Sequence, residues 1–223
     1  MVLSVHETST RLGVTPVRVR QLISAGELPA TRVGRQWVLQ EADVERFSPQ
    51  RRGRPISEAS AWAFLHYLSS EHDGFWDVSR EVRAQHALWA RQLRDLPDML
   101  RPTPLVGLVR NRAKTVLLSA DRDEIPDLRR DPALTISGVS HPEAGLLSNA
   151  EVEGYVSRQK FERLRREWLL VPAAPKDANV ILHVATAVPA PLPIAAVAAD
   201  LAEHRGAREQ GQASQILGSL LGD

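Results

Sequence analysis

The chain has 223 residues, 43% hydrophobic and 25% charged, with 28 Lys and Arg against 27 Asp and Glu; this excludes a disordered, collagenous or supercharged chain and favours two small domains over one large one. It has no cysteine, which excludes a disulfide framework, a Cys-ligated zinc or iron–sulfur centre and a thiol nucleophile, and suits a reducing cytoplasm. The near-neutral total conceals a basic head: residues 1–55 hold nine arginines against five acids, a net of +4, and the remainder carries −3, so a polyanion is expected as partner of the head alone.

The opening MVLSVHETSTRLG lacks the basic start and apolar run of a signal peptide. Ser4 and Glu7 have the spacing of a capping box, predicting a helix that carries Val5, Thr8 and Leu12 inward and ends at Gly13. After Val14, Thr15-Pro16 supplies an N-cap and a proline at the first helical position. The second helix carries Val19, Leu22 and Ile23 on its apolar stripe and stops at Gly26, so Arg18, Arg20 and Gln21 project outward, with Thr15 and Val17 near the N-terminus. The pair reads as a helix-turn-helix. Leu28 to Leu39 alternates around a Gly34-Arg35 turn, predicting a hairpin that would form a wing, and Glu41 to Phe47 predicts a short closing helix with Val44 and Phe47 facing in.

The stretch LSVHETSTRLGVTPVRVRQLISAGELPATRVGRQWVLQEADVERF resembles the excisionase-type, MerR-related winged helix-turn-helix over about a fifth of the chain. The resemblance rests on the GV turn, the VRVRQLI helix, AGELPA before the hairpin, and VGRQWVL followed by EADVERF. It implies a recognition helix in the major groove of double-stranded DNA, with Arg18, Arg20 and Gln21 on base edges. Arg32, Arg35 and Gln36 on the wing would hold the backbone. Arginine can grip the O6/N7 edge of guanine and glutamine the N6/N7 edge of adenine, each worth about 1–3 kcal/mol of discrimination. The alternatives are that these arginines form a solvated face, that they pair with Glu7 and Glu27, or that the winged fold contacts protein.

Ser48 to Pro55 has two prolines, a glycine and three arginines but no apolar residue, which predicts an exposed linker. We expect domains at 1–47 and 57–223 joined by a basic linker at 48–56, whose Arg51 and Arg52 either add phosphate contacts or serve as a soluble spacer. Beyond it, Ser57 is expected to cap a helix with Trp62, Leu65 and Leu68. A longer helix follows with Val78, Val82, His86, Trp89, Leu93 and Leu96, ended by Pro97. Trp62, Phe64, Phe75, Trp76 and Trp89 read as core or as a helix–helix interface.

Further on, strands are expected at Thr115–Ser119, Thr135–Ser137 and Asn179–Val184. Helices are expected at Asp121–Leu128, Ser148–Val156, after a Ser157 cap with Phe161, Leu164 and Trp168, and at Ile194–Glu203 and Ala207–Leu221. The fold class is therefore α+β: a winged helix-turn-helix joined to a larger mixed body. The uncharged stretch from Ala178 to Ala199 is broken by Pro189, Pro191 and Pro193, which argues against a membrane span.

Little catalytic chemistry is legible. Asp121-Arg122-Asp123 reads as a capped helix start rather than a metal motif, and the seven histidines show no H-x-x-x-H spacing. Neither a glycine-rich phosphate loop nor a nucleophile elbow is present, so no cofactor, metal or enzymatic activity is expected.

Ser137 to Pro142, Gly154-Tyr155-Val156, Trp168 to Pro172, Asn179 to Val184 and Ala198 to Glu203 together resemble the C-terminal region of abortive-infection antitoxins. That resemblance implies an autorepressor paired with a nucleotidyltransferase-like toxin. The expected function is a cytoplasmic, homodimeric, sequence-specific DNA-binding transcriptional regulator, a repressor. The alternatives weighed are an excisionase-like architectural or recombination accessory and an enzyme targeted to DNA by its head.

Overall fold

Short-range signals in the first fifty residues and long-range pairings beyond them build two units, Met1–Arg51 and Arg52–Asp223. The computed structural model describes residues 2–12, 15–24, 28–34, 36–46, 56–69, 79–146, 150–204 and 206–222. Gly13, Val14, Gly26, Glu27, Arg35 and Phe47, residues 48–55 of the expected linker with Arg51 and Arg52, and Phe75, Trp76, Val78 and Ser148 lie outside the described residues.

In the first unit, strand β1 (Val2–Ser4) runs into helix α1 (Val5–Leu12), followed by α2 (Pro16–Ser24), the hairpin β2 (Thr31–Val33) and β3 (Gln36–Gln40), and α3 (Glu41–Arg46). The sheet order is β1-β3-β2, antiparallel throughout, with Leu3 opposite Leu39 and Arg32 opposite Trp37. Leu3, Val19, Leu22, Leu28, Leu39 and Val44 form its core. β1 is not among the predicted elements, because three residues are too few to show a period; pairing with β3 makes it a strand.

The second unit opens with α4 (Glu58–Leu68) and α5 (Arg80–Arg94), then α6 (Pro102–Val109), β4 (Lys114–Ser119), α7 (Ile125–Leu128) and β5 (Leu134–Ile136). It continues with β6 (Val152–Ser157), α8 (Arg158–Glu167), β7 (Val171–Pro172), β8 (Val180–Ala185), α9 (Ile194–Glu203) and α10 (Ala207–Leu221). The sheet order is β5-β6-β8-β4-β7, with β6 and β8 parallel and every other pair antiparallel. One face buries Leu118, Val156, Leu164 and Leu182 with Ile125 and Leu128 of α7. The other packs Tyr155 and Ala185 against α4, α6, α9 and α10. The protein is α+β.

The expected helix over Ser148–Val156 is overturned: Val152–Ser157 is the strand β6. Val152 to Val156 are all buried, so the strand lacks the polar alternation that marks a half-exposed one. Ser57 caps α4 as expected, accepting from the Ser60 amide at 3.1 Å, whereas Ser157 precedes α8 without a side-chain cap bond. Trp62 and Phe64 are buried, and Trp89 meets Phe64 edge-on at 5.3 Å between ring centroids. Among the described residues no helix is long and apolar enough to cross a membrane.

Candidate nucleic-acid interface

The start of α1 is fixed by the capping box: the Ser4 amide donates to Glu7 Oε2 at 2.7 Å and the Glu7 amide donates to Ser4 Oγ at 3.2 Å. The bond from the Ser4 backbone, then that with its side chain, holds the Glu7 carboxyl below its ordinary value. Arg11 donates to Glu41 Oε1 at 2.7 Å, tying α1 to α3. Glu7 and Arg11 are therefore committed to holding the unit together.

Helix α2 begins where predicted, with Pro16 at its first position and the Val19 amide closing on the Thr15 carbonyl at 3.1 Å. Val19 and Leu22 are buried on its inner side. Its outer side carries Val17, Arg20, Gln21 and Ser24, all exposed. The steps of three and four between these four place them along one stripe about two turns long. Arg20 has no acidic partner among the described residues. Thr15 is exposed just ahead of the helix; the Arg18 side chain lies outside the described residues.

On the wing, Arg32 sits opposite Trp37 with its guanidinium 6.0 Å from the ring centroid, close enough for a cation–π contact. Gly34 turns the hairpin at φ +61°, a conformation that glycine adopts without strain. Gln36 is exposed at the start of β3. The described candidates thus lie on α2 and the wing, while Arg35, Arg51 and Arg52 fall outside the described residues.

The second unit carries a buried charge network that no sequence spacing announces. Arg112 Nη2 donates to Asp200 Oδ1 at 2.5 Å and to Glu203 Oε1 at 2.6 Å, and its Nε donates to the Tyr155 hydroxyl at 2.7 Å. That hydroxyl in turn donates to Asp200 Oδ1 at 2.7 Å, and the Ser137 hydroxyl donates to Asp200 Oδ2. His183 Nε2 donates to Glu153 Oε1 and His204 Nε2 to Glu153 Oε2, both at 2.8 Å, and the Val139 amide joins Oε2 at 3.0 Å. Gly138 makes this possible: at φ +51°, a Cβ there would lie 1.8 Å from Glu153 Oε2.

The cluster approaches neutrality only when both imidazoles are protonated. Three cations then face Glu153, Asp200 and Glu203; without those protons Arg112 faces all three carboxylates. Burial works against a charged His183, but Asp200 and Glu153 outweigh it and hold its pKa above the ordinary value. The hydrogen bond to Glu153 outweighs burial at His204 in the same direction. Burial likewise opposes the Glu153 carboxylate, and the bonds from His183 and His204 nevertheless hold its pKa below the ordinary value. Thr115 Oγ1, His183 and Glu153 stand in hydroxyl–imidazole–carboxylate order, with 3.2 Å from Oγ1 to Nδ1.

Spacing conceals this network because Arg112 and Asp200 are 88 residues apart and Glu153 and His204 are 51 apart. The legible sign is Asp200 itself, an acid inside the apolar run Ala195–Leu201. Asp121 caps a turn, accepting from the Asp123 amide at 3.0 Å, and among the described residues no group of three acids or histidines is set to hold a metal.

Residues 2–48 match the family model of a helix-turn-helix domain. The first unit is a helix-turn-helix DNA-binding domain. No curated protein and no solved structure matches the chain.

Proposed function

We propose that the protein is a sequence-specific transcriptional repressor that binds double-stranded DNA as a homodimer, with α2 in the major groove and the wing on the flanking backbone. The observation that supports this most is the exposed stripe Val17, Arg20, Gln21 and Ser24 on a helix-turn-helix unit, with Arg20 facing no acid among the described residues. An exposed guanidinium can take both acceptors of a guanine edge, and the Gln21 amide suits adenine. Arg18 and Thr15 extend that reading surface. Arg32, Arg35 and Gln36 position the backbone, and Arg51 and Arg52 add counterion release.

A single small head of net +4 gives modest specific affinity, so two heads about 34 Å apart are expected to read a repeated half-site. The second unit supplies the dimer contact and receives the signal or protein partner. Its size, Arg52–Asp223, favours a regulator over an architectural accessory, which needs little beyond the head. In the narrower form of this reading the partner is a toxin and the regulated promoter is the protein's own; the resemblance over residues 137–221 supports that form.

Selection of bound fragments from the source genome by the full chain tests the proposal, with Arg20→Ala alongside. The expected result is enrichment of one promoter containing a repeat, lost in the variant. Enrichment no better than a salt-sensitive background for both proteins would overturn it.

A further inference from the structure

The outward stripe of α2 is not uniformly polar. Beside Arg20, Gln21 and Ser24 stands Val17, 60% exposed in the first turn and outside the core of the unit. Isolated exposed apolar side chains are common on protein surfaces. Val17, however, lies one turn from the exposed Arg20 on the face the helix presents outward. A β-branched side chain there brings little to helix stability, and it is not one of the residues that build the core of the unit.

The edges of base pairs in the major groove offer donors, acceptors and one apolar feature, the C5-methyl of thymine. We propose that Val17 reads a thymine methyl, making it a specificity-determining residue. The inference rests on the DNA-reading role proposed above for α2. An α-helix rises 1.5 Å per residue, so the backbone positions of Val17 and Arg20 are separated by about 4.5 Å along the axis. DNA advances about 3.4 Å per base pair. The thymine is therefore placed one or two base pairs from the base that Arg20 contacts, in each half-site.

The test uses the full chain and the site it selects. Each thymine is replaced in turn by deoxyuridine, which removes the methyl and leaves every hydrogen-bonding group. Wild-type protein is expected to lose about fourfold in affinity at one thymine per half-site, the equivalent of about 0.8 kcal/mol for burying one methyl-sized group. Val17→Ser should bind the thymine and uracil duplexes equally while keeping its loss when the base facing Arg20 is changed; the residue is exposed, so an unchanged melting temperature verifies the fold. Indifference of the wild type to every replacement, or the same fourfold preference in Val17→Ser, would overturn the inference and leave the DNA-reading role standing. Failure of the full chain to select any site would remove both.

Discussion

The two units use arginine in opposite ways. Arg20 is exposed and faces no acid among the described residues, on a helix whose inner side buries Val19 and Leu22. Arg112 is 2% exposed and donates to Asp200, Glu203 and Tyr155. A solvated, uncommitted guanidinium contributes little to folding and retains its donors for a partner. A buried one has exchanged its hydration for acceptors within the protein, and removing a carboxylate among them leaves charge without compensation. The proposed recognition surface therefore draws on exposed side chains of the first unit, whereas in the second the guanidinium fixes an internal arrangement.

The largest expected effect falls on the buried side of that contrast. Arg112→Met leaves Asp200 and Glu203 without their guanidinium and should cost about 3–5 kcal/mol, a large part of the stability of an ordinary domain. Denaturant unfolding of the full chain would show it. A loss below about 1 kcal/mol would mean that the network relaxes freely and the contrast is weaker than drawn. Gly138→Ala should cost at least about 1–2 kcal/mol, because the left-handed backbone strains any side chain and the new Cβ meets the Glu153 carboxylate.

The pH dependence separates the units without mutation. In the folded chain His183 and His204 hold their protons above the ordinary value of 6.5. Their stabilisation is therefore complete below that pH and is lost as pH rises through the raised values. Glu153, held below its ordinary value of 4.5, stabilises above that pH and loses its contribution as pH falls toward its lowered value. The melting temperature should be highest between these limits and decline toward pH 9, with His204→Gln flattening the alkaline decline. Four of the five tryptophans lie beyond residue 55, so tryptophan fluorescence mainly follows the second unit. A melting temperature constant from pH 6 to 9 would contradict the protonated network.

The smallest effect is on the wing. Trp37→Leu removes the ring under Arg32 and should weaken DNA binding by about 0.5–1 kcal/mol, equally on all sequences if the wing has its proposed role of positioning the backbone. Loss confined to one sequence in a binding titration would assign base reading to the wing.

Legibility in the sequence follows the range of the interactions. The Ser4–Glu7 box, Thr15-Pro16 and the Gly34 turn act within a few residues, so most of the first unit is legible from its residues alone; β1 is not, being defined by its partner. In the second unit β6 reads as a helix because burial on both faces erases alternation. The network stays hidden because Glu153, His183, Asp200 and His204 meet only once β6, β8 and α9 are packed, and no local rule brings them together.

The central claim is that the outward stripe of α2 discriminates among sequences. Its most direct test is the ratio of affinities for the selected site and a scrambled duplex at one salt concentration, for the full chain, Arg20→Ala and Arg32→Ala. Arg20→Ala should lose about 1–3 kcal/mol on the selected site alone and collapse the ratio. Arg32→Ala should weaken both duplexes alike and preserve it. A ratio unchanged by Arg20→Ala would contradict the account.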